Sequence, residues 1–211
     1  DDEAFVGRSG LVYPQFTHDR HVKDPKVPLK DCVRVVAGVD FGGGDPTAVV
    51  VLGLDKTHHL HQYAEFYKRG SVGTDQIIGF LAQYPDVQTI LCDPKEPVAI
   101  ATMRGAGLPA VGADNRRDEG LGIVAFLLDN NRLTISPDNK SSLAEFPGYR
   151  WSERVDPNDR TRYATKTPVG NHADAMDARR YAIMELLAML RPSTTLPTRT
   201  LSGHRFKRYA V

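Results

Sequence analysis

Residues 33–51, VRVVAGVDFGGGDPTAVVV, decide the fold. Val33 to Val39 is a short β-branched run that ends on Asp40 and reads as a buried strand. Gly42, Gly43, Gly44, Asp45 and Pro46 then form a turn. Thr47 to Leu54 is a second apolar strand, closed by a turn at Asp55, Lys56 and Thr57, and Leu60 to Tyr67 alternates as a third. Connections this short join antiparallel neighbours, because parallel neighbours need a crossover of about a dozen residues or more. The chain therefore opens its core with an antiparallel meander.

Downstream the period changes. Thr74 reads as an N-cap, with Ile77, Ile78, Leu81 and Ala82 at helical spacing after it. Val87 to Cys92 is a fourth strand ending at Asp93-Pro94, Pro97 to Arg104 a short helix, and Pro109 to Ala113 a fifth strand. Strand–helix–strand alternation implies right-handed crossovers and parallel pairing. A helix over Glu119 to Asn130 and a small strand over Leu133 to Ser136 follow. Ser141 to Pro168 carries a weaker pattern, with Arg150, Arg154, Arg160, Arg162 and Lys166 around Trp151 and a turn at Pro157-Asn158-Asp159, and reads as a mobile hairpin near 150–168. A long helix spans about Asn171 to Leu190. The expected organisation is an extended lead-in or linker remnant over 1–32, punctuated by Pro14, Pro25 and Pro28, that lies on a domain or once joined another; a domain over 33–190; and a basic tail over 191–211.

The chain has 211 residues with 27 Lys and Arg against 26 Asp and Glu. That length suits one domain. A content of 41% hydrophobic and 25% charged residues excludes collagen, a disulfide mini-protein, a coiled coil and a wholly disordered chain. No apolar run approaches the roughly 18 residues of a membrane span, and no membrane partner is expected. A formal net charge of +1 offers no global attraction for nucleic acid, so any such case rests on where the charges lie. Cys32 and Cys92 lack CxxC spacing and read as reduced, mostly buried thiols. His58, His59 and His61 lie in a stretch of strand period, which sends them to opposite faces and argues against zinc.

Chemistry enters through the acids. Asp40 ends the first strand and Asp93 the fourth, so parallel neighbours would bring both to one carboxyl-terminal edge, where open α/β sheets place their sites. Asp174 and Asp177 are three apart and share a helix face, beside an apolar stripe of Ala175, Ala178, Ala182, Leu186 and Met189. Each acid alone is also an ordinary turn or first-turn residue. Together they repel by about 4 kcal/mol per pair at about 4 Å and an effective dielectric near 20. Divalent cations offset that repulsion, and all-oxygen donors favour Mg²⁺, Mn²⁺ or Ca²⁺ over zinc. Two such ions stabilise the attacking and leaving oxygens of phosphodiester cleavage.

The order of these pieces resembles the nuclease domain of the large terminase subunit of tailed bacteriophages, in the ribonuclease H-like superfamily. The matching stretches are GLVYPQF (10–16), GVDFGGGDPTAVVV (38–51), ILCDPKEP (90–97), GLGIVAFLLDNNRLTI (120–135), LAEFPGYRW (143–151) and NHADAMDARRYA (171–182). The resemblance implies an α/β fold: a ribonuclease H-like mixed sheet, antiparallel meander plus parallel strands, flanked by helices. It implies a two-metal endodeoxyribonuclease, using Mg²⁺ or Mn²⁺, that cuts concatemeric viral DNA during packaging in the host cell cytoplasm. Asp40, Asp93 and Asp177 match the family's acids, with Asp40 expected to bridge both ions. Many relatives carry a histidine three residues before the last acid, where this chain has Asp174, with His172 two residues earlier. That departure leaves Asp174 open between direct ligation, ligation through water and tuning of the site.

No GxxxxGK[ST] phosphate loop is present, so the resemblance implies a C-terminal nuclease domain whose parent chain supplies an ATPase domain. It also implies portal and small-terminase partners. For double-stranded DNA the candidate contacts are Arg116, Arg117, Lys140, Arg160, Arg162 and Lys166, with Lys95, Arg150 and Arg154 further candidates. A junction-resolving nuclease shares the acid pattern. DFGGGDPTAVVV also resembles the first phosphate loop of actin-like and sugar-kinase ATP-binding domains, whose second loop and second half are missing here. A non-enzymatic packaging module is the remaining alternative.

Overall fold

The computed structural model describes residues 10–155, 157–158, 162–169 and 173–190. β1 (Arg34–Asp40) and β2 (Thr47–Leu54) pair antiparallel from Arg34↔Leu54 to Asp40↔Ala48, and β3 (Leu60–Lys68) pairs antiparallel with β2. β4 (Thr89–Cys92), β5 (Ala110–Gly112) and β6 (Leu133–Ile135) join in parallel, giving a six-stranded sheet of order β5-β4-β1-β2-β3-β6. The meander and the parallel strands are those expected from the loop lengths. The β1–β4 register sets Val39 beside Cys92, which leaves Asp40 and Asp93 as neighbours just past it. β1, β3, β4, β5 and β6 all point their carboxyl ends to one edge.

Alternation on the strands divides the core between two faces. Val35, Ala37, Val39, Val49 and Val51 pack with Ile77 and Leu81 of α2 (Thr74–Leu81) and Ile100 and Met103 of α3 (Pro97–Gly105). Val36, Val50, Leu52 and Leu91 pack with α4 (Arg117–Asp129) and α6 (Asp174–Glu185) on the other face. Positions 36, 38 and 40 share that second face, as do 91 and 93, so parity alone puts Asp40 and Asp93 on the α6 side. Gly38 lets α6 lie directly on β1: a Cβ there would meet the Ala178 carbonyl oxygen at 1.8 Å.

Several expectations are corrected. Thr74 is the first helical residue, preceded by Gly73, and makes no side-chain cap. The final helix begins at Asp174 and breaks at Leu186 before a short α7 (Leu187–Leu190), so Met189 leaves the stripe and is 39% exposed. The weak stretch after Ser141 contains a helix, α5 (Lys140–Glu145), and a 3₁₀ turn (Phe146–Gly148) before β7 (Arg150–Val155) and β8 (Arg162–Val169) pair antiparallel. Residues 10–32 pack on the domain. Val12 and Tyr13 are buried in its core, Phe16 stacks on Phe146 at 3.7 Å, and His21 of α1 (His18–His21) bonds the Leu128 carbonyl at 2.9 Å. The histidines divide as strand period requires: His59 and His61, two apart, both reach the Thr134 hydroxyl at 3.2 and 2.7 Å, and His58 turns the other way, to the Met189 carbonyl. Both cysteines are free, Cys92 buried and Cys32 half-buried. Among the described residues no helix is long and apolar enough to cross a membrane. The tail over 191–211, Arg160 and His172 lie outside the described residues.

Candidate active site at the sheet edge

Asp40 and Asp93 stand where β1 and β4 end, on the sheet face that α6 covers, and Asp174 and Asp177 stand in the first turn of α6. Asp40 feels Asp177, Asp174 and Asp93, in that order. Burial first, and then these three like charges, push its carboxyl up to about 8, with Arg180 pulling the other way. The β1–β4 register puts Asp40 and Asp93 side by side, and Asp174 and Asp177 lie in the first turn of α6, which packs on β1. Asp93 also serves its turn: its Oδ1 accepts the Lys95 amide at 3.0 Å. Among the described residues no three His, Cys, Asp or Glu side chains close on a common point as metal ligands do.

Buried polar side chains fix α6 over that edge. Glu145, at the end of α5, accepts the amides of Ala175 and Met176 at 3.2 and 3.0 Å, two of the donors that a helix N-terminus leaves unsatisfied. Burial pushes its carboxyl up to about 7, against the pull of those amides, Tyr67 and Arg179. Tyr67 donates to Asp174 Oδ2 at 3.4 Å, and Asp174 is 8% exposed. A register shift in β3 between its pairings with Val51 and Leu52 resets the alternation there. Gln62 before the shift and Glu65 and Tyr67 after it thereby all reach α5 or α6. Arg179, fully buried, donates to Gln62 Oε1 at 2.9 Å and lies over the Phe146 ring. Arg180 donates to Asp177 Oδ1 twice. Sequence reading missed Glu145, Tyr67 and Arg180. Of these only Arg180 left a local signal, its i,i+3 spacing from Asp177.

The basic candidates divide. Arg117 and Lys140 are exposed at the same carboxyl edge, at the starts of α4 and α5. Arg116 is exposed too, but its guanidinium is held by Asp114 at 2.5 Å and by Glu119, so its charge is already countered. Arg162 and Lys166 lie on β8, and Arg160 lies outside the described residues.

A mixed sheet with carboxylates at the ends of its first and fourth strands and on its last helix defines a ribonuclease H-like α/β architecture. Among solved structures this is the fold of large terminase nucleases. The large terminase of a thermophilic bacteriophage superposes with a TM-score of 0.70 at 21% identity, over 85% of this chain and 45% of that one. The P22 large terminase nuclease domain gives 0.66 at 19% identity, over 87% and 98%. The large terminase nuclease domain of bacteriophage SPP1 with bound Mn gives 0.60 at 21% identity, over 78% and 95%. The chain thus spans less than half of the first of these proteins and nearly all of the two isolated nuclease domains. No protein-family profile matches the chain, and no curated protein matches it by sequence.

Proposed function

We propose that this chain is a metal-dependent DNA endonuclease, the C-terminal cutting domain of a phage large terminase acting on concatemeric DNA during genome packaging in the host cytoplasm. What supports the reading is the placement of Asp40 and Asp93 where β1 and β4 end and of Asp174 and Asp177 in the first turn of α6, the helix packed over β1; burial first, and then the charges of the other three, raises Asp40 to about 8. Such a set suits hard cations with oxygen donors and no soft or imidazole ligand. Asp40, Asp93 and Asp177, with Asp174 beside them, would hold a pair of Mg²⁺ or Mn²⁺ ions. Those ions would supply charge stabilisation to both oxygens of the scissile phosphodiester.

The chain's own residues supply the rest. Glu145 and Tyr67 set the height and tilt of α6, while Arg117 and Lys140, with Arg162 and Lys166 of the hairpin, attract the DNA backbone. Arg116 joins them if phosphate displaces Asp114. On this reading the parent chain's ATPase domain, a portal and a small terminase subunit are the partners.

Incubation with supercoiled plasmid tests the proposal. The protein should linearise and then degrade it in Mg²⁺ or Mn²⁺ and not in chelator, and Asp40→Ala should lower the rate by at least a hundredfold. Undiminished cleavage by Asp40→Ala would sink the reading. Preference for a four-way junction over duplex would shift it to a junction-resolving enzyme.

A further inference from the structure

Arg180 is 1% exposed and every part of it is engaged. Nε and Nη2 both donate to Asp177 Oδ1, at 3.1 and 3.0 Å, and Nη1 donates to Asn115 Oδ1 at 2.9 Å. The guanidinium lies 4.6 Å over the Tyr181 ring. Its aliphatic stem fills the space a side chain at position 120 would need: a Cβ on Gly120 would lie 2.6 Å from Arg180 Cγ and 3.0 Å from Cδ. An exposed i,i+3 ion pair contributes a few tenths of a kcal/mol and leaves both partners mobile. This pair is different in kind, because the planar fork is anchored at its far end and roofed by α4.

Two consequences follow from the geometry. Both bonds go to Oδ1, so the Asp177 carboxylate is fixed in rotation while Oδ2 stays available. Asn115 belongs to the 113–116 loop between β5 and α4, which also carries Arg116 and leads into Arg117. One guanidinium therefore connects that loop to the acid that bears hardest on Asp40.

We propose that Arg180, anchored by Asn115, is a positioning residue that orients Asp177 for metal binding and ties its placement to the 113–116 loop. This rests on the nuclease reading for the identity of the ion, but the clamp itself is a property of the fold. A group that orients a ligand is worth roughly 10- to 100-fold in metal affinity or activity.

Asn115 is exposed, so Asn115→Ala should leave the melting temperature unchanged. It should nevertheless weaken Mn²⁺ binding, measured by electron paramagnetic resonance, and lower kcat for duplex cleavage by about tenfold, with KM for DNA unchanged. Arg180→Lys keeps the charge but cannot serve Asp177 and Asn115 together, and should lose at least as much. Wild-type Mn²⁺ affinity and kcat in either variant would overturn the proposal. The ¹⁵N–¹H resonance of Arg180 Nε should be slow to exchange in the metal-free protein and should shift in Asp177→Asn. A resonance indifferent to that change overturns the clamp whether or not the protein binds Mn²⁺. A wild-type protein that shows the resonance but binds no Mn²⁺ contradicts the nuclease reading and upholds the clamp.

Discussion

At the scale of single residues, the site depends on a side chain that is absent. Gly38 sits in the middle of β1, where any Cβ would enter the backbone of α6 at Ala178 and press on Ala182 Cβ at 3.2 Å. Backbone cannot yield as a flexible side chain can, so the helix would have to lift from the sheet and carry Asp174 and Asp177 with it. Gly38→Ala should therefore cost about 1–3 kcal/mol, the range for overpacking a dense core, and reduce cleavage beyond the loss of folded protein. Gly43→Ala, in a turn where nothing lies within 4 Å, is the control and should change stability by less than about 0.5 kcal/mol. Urea unfolding of both variants measures the difference. Equal midpoints would show that α6 does not need its close seat on β1. Asp93 makes a related point, since its turn bond to Lys95 engages Oδ1 and leaves Oδ2 for the edge.

At the scale of elements, what was legible in the sequence is what local pattern can encode. The β-branched runs and short Gly-rich connection of 33–54 gave the meander, and the alternation rule carried Asp40 and Asp93 to the same face. What stayed hidden depends on partners far along the chain. α5 has six residues and too little pattern to announce itself; its first amides, of Ser141 and Ser142, are capped by Glu65 from β3, each at 2.7 Å. Residues 10–23 have no period because they place single rings, Tyr13 and Phe16, against Phe146 of the 3₁₀ turn and Tyr149 just after it. The β3 register shift hid Tyr67, whereas the convergence of His59 and His61, two apart on one face, follows from strand period.

That convergence makes the short β3–β6 pairing the acid-sensitive edge. Burial, and then His61, push His59 down to about 4, and burial lowers His61 as well, against the pull of Asp55; Arg132 and Lys23 add to the pressure on His59. A histidine whose folded value is depressed contributes stability that is present above the ordinary 6.5 and is lost as pH falls toward the folded value. The loss therefore falls between about pH 6.5 and 4. Because His59 is only half-buried, solvent screening reduces the linkage to about 1 kcal/mol. Denaturant unfolding at pH 7 and pH 5 should show that difference, and His59→Gln, which keeps an acceptor for Thr134, should flatten it. An unchanged slope in His59→Gln would assign acid sensitivity elsewhere.

At the scale of the whole molecule, the balance of 27 bases against 26 acids is a sum of unlike regions. Asp40 and Asp93 stand at the carboxyl edge with Asp174 and Asp177 of α6 beside them, while Arg117 and Lys140 are exposed at the same edge, at the starts of α4 and α5. The acid cluster therefore works against folding at neutral pH and toward cation binding. The sign follows from Asp40. Its folded value is raised to about 8, so the stability linked to its proton is fully present below about 4 and is gone once pH rises through 8. A cation that binds between these carboxylates must displace that shared proton, which belongs to the cluster as much as to Asp40. Mn²⁺ affinity should consequently rise about tenfold per pH unit between pH 6 and 8 and level off above. At fixed, excess Mn²⁺ the gain in unfolding free energy should be up to about 3 kcal/mol larger at pH 8 than at pH 6, since each tenfold in affinity adds about 1.4 kcal/mol. Thermal unfolding with and without Mn²⁺ across that range, repeated with Asp40→Asn, measures it. A metal-induced shift independent of pH, or one that survives in Asp40→Asn with its pH slope intact, would place the proton and the ion at different sites and separate the acid cluster from metal binding.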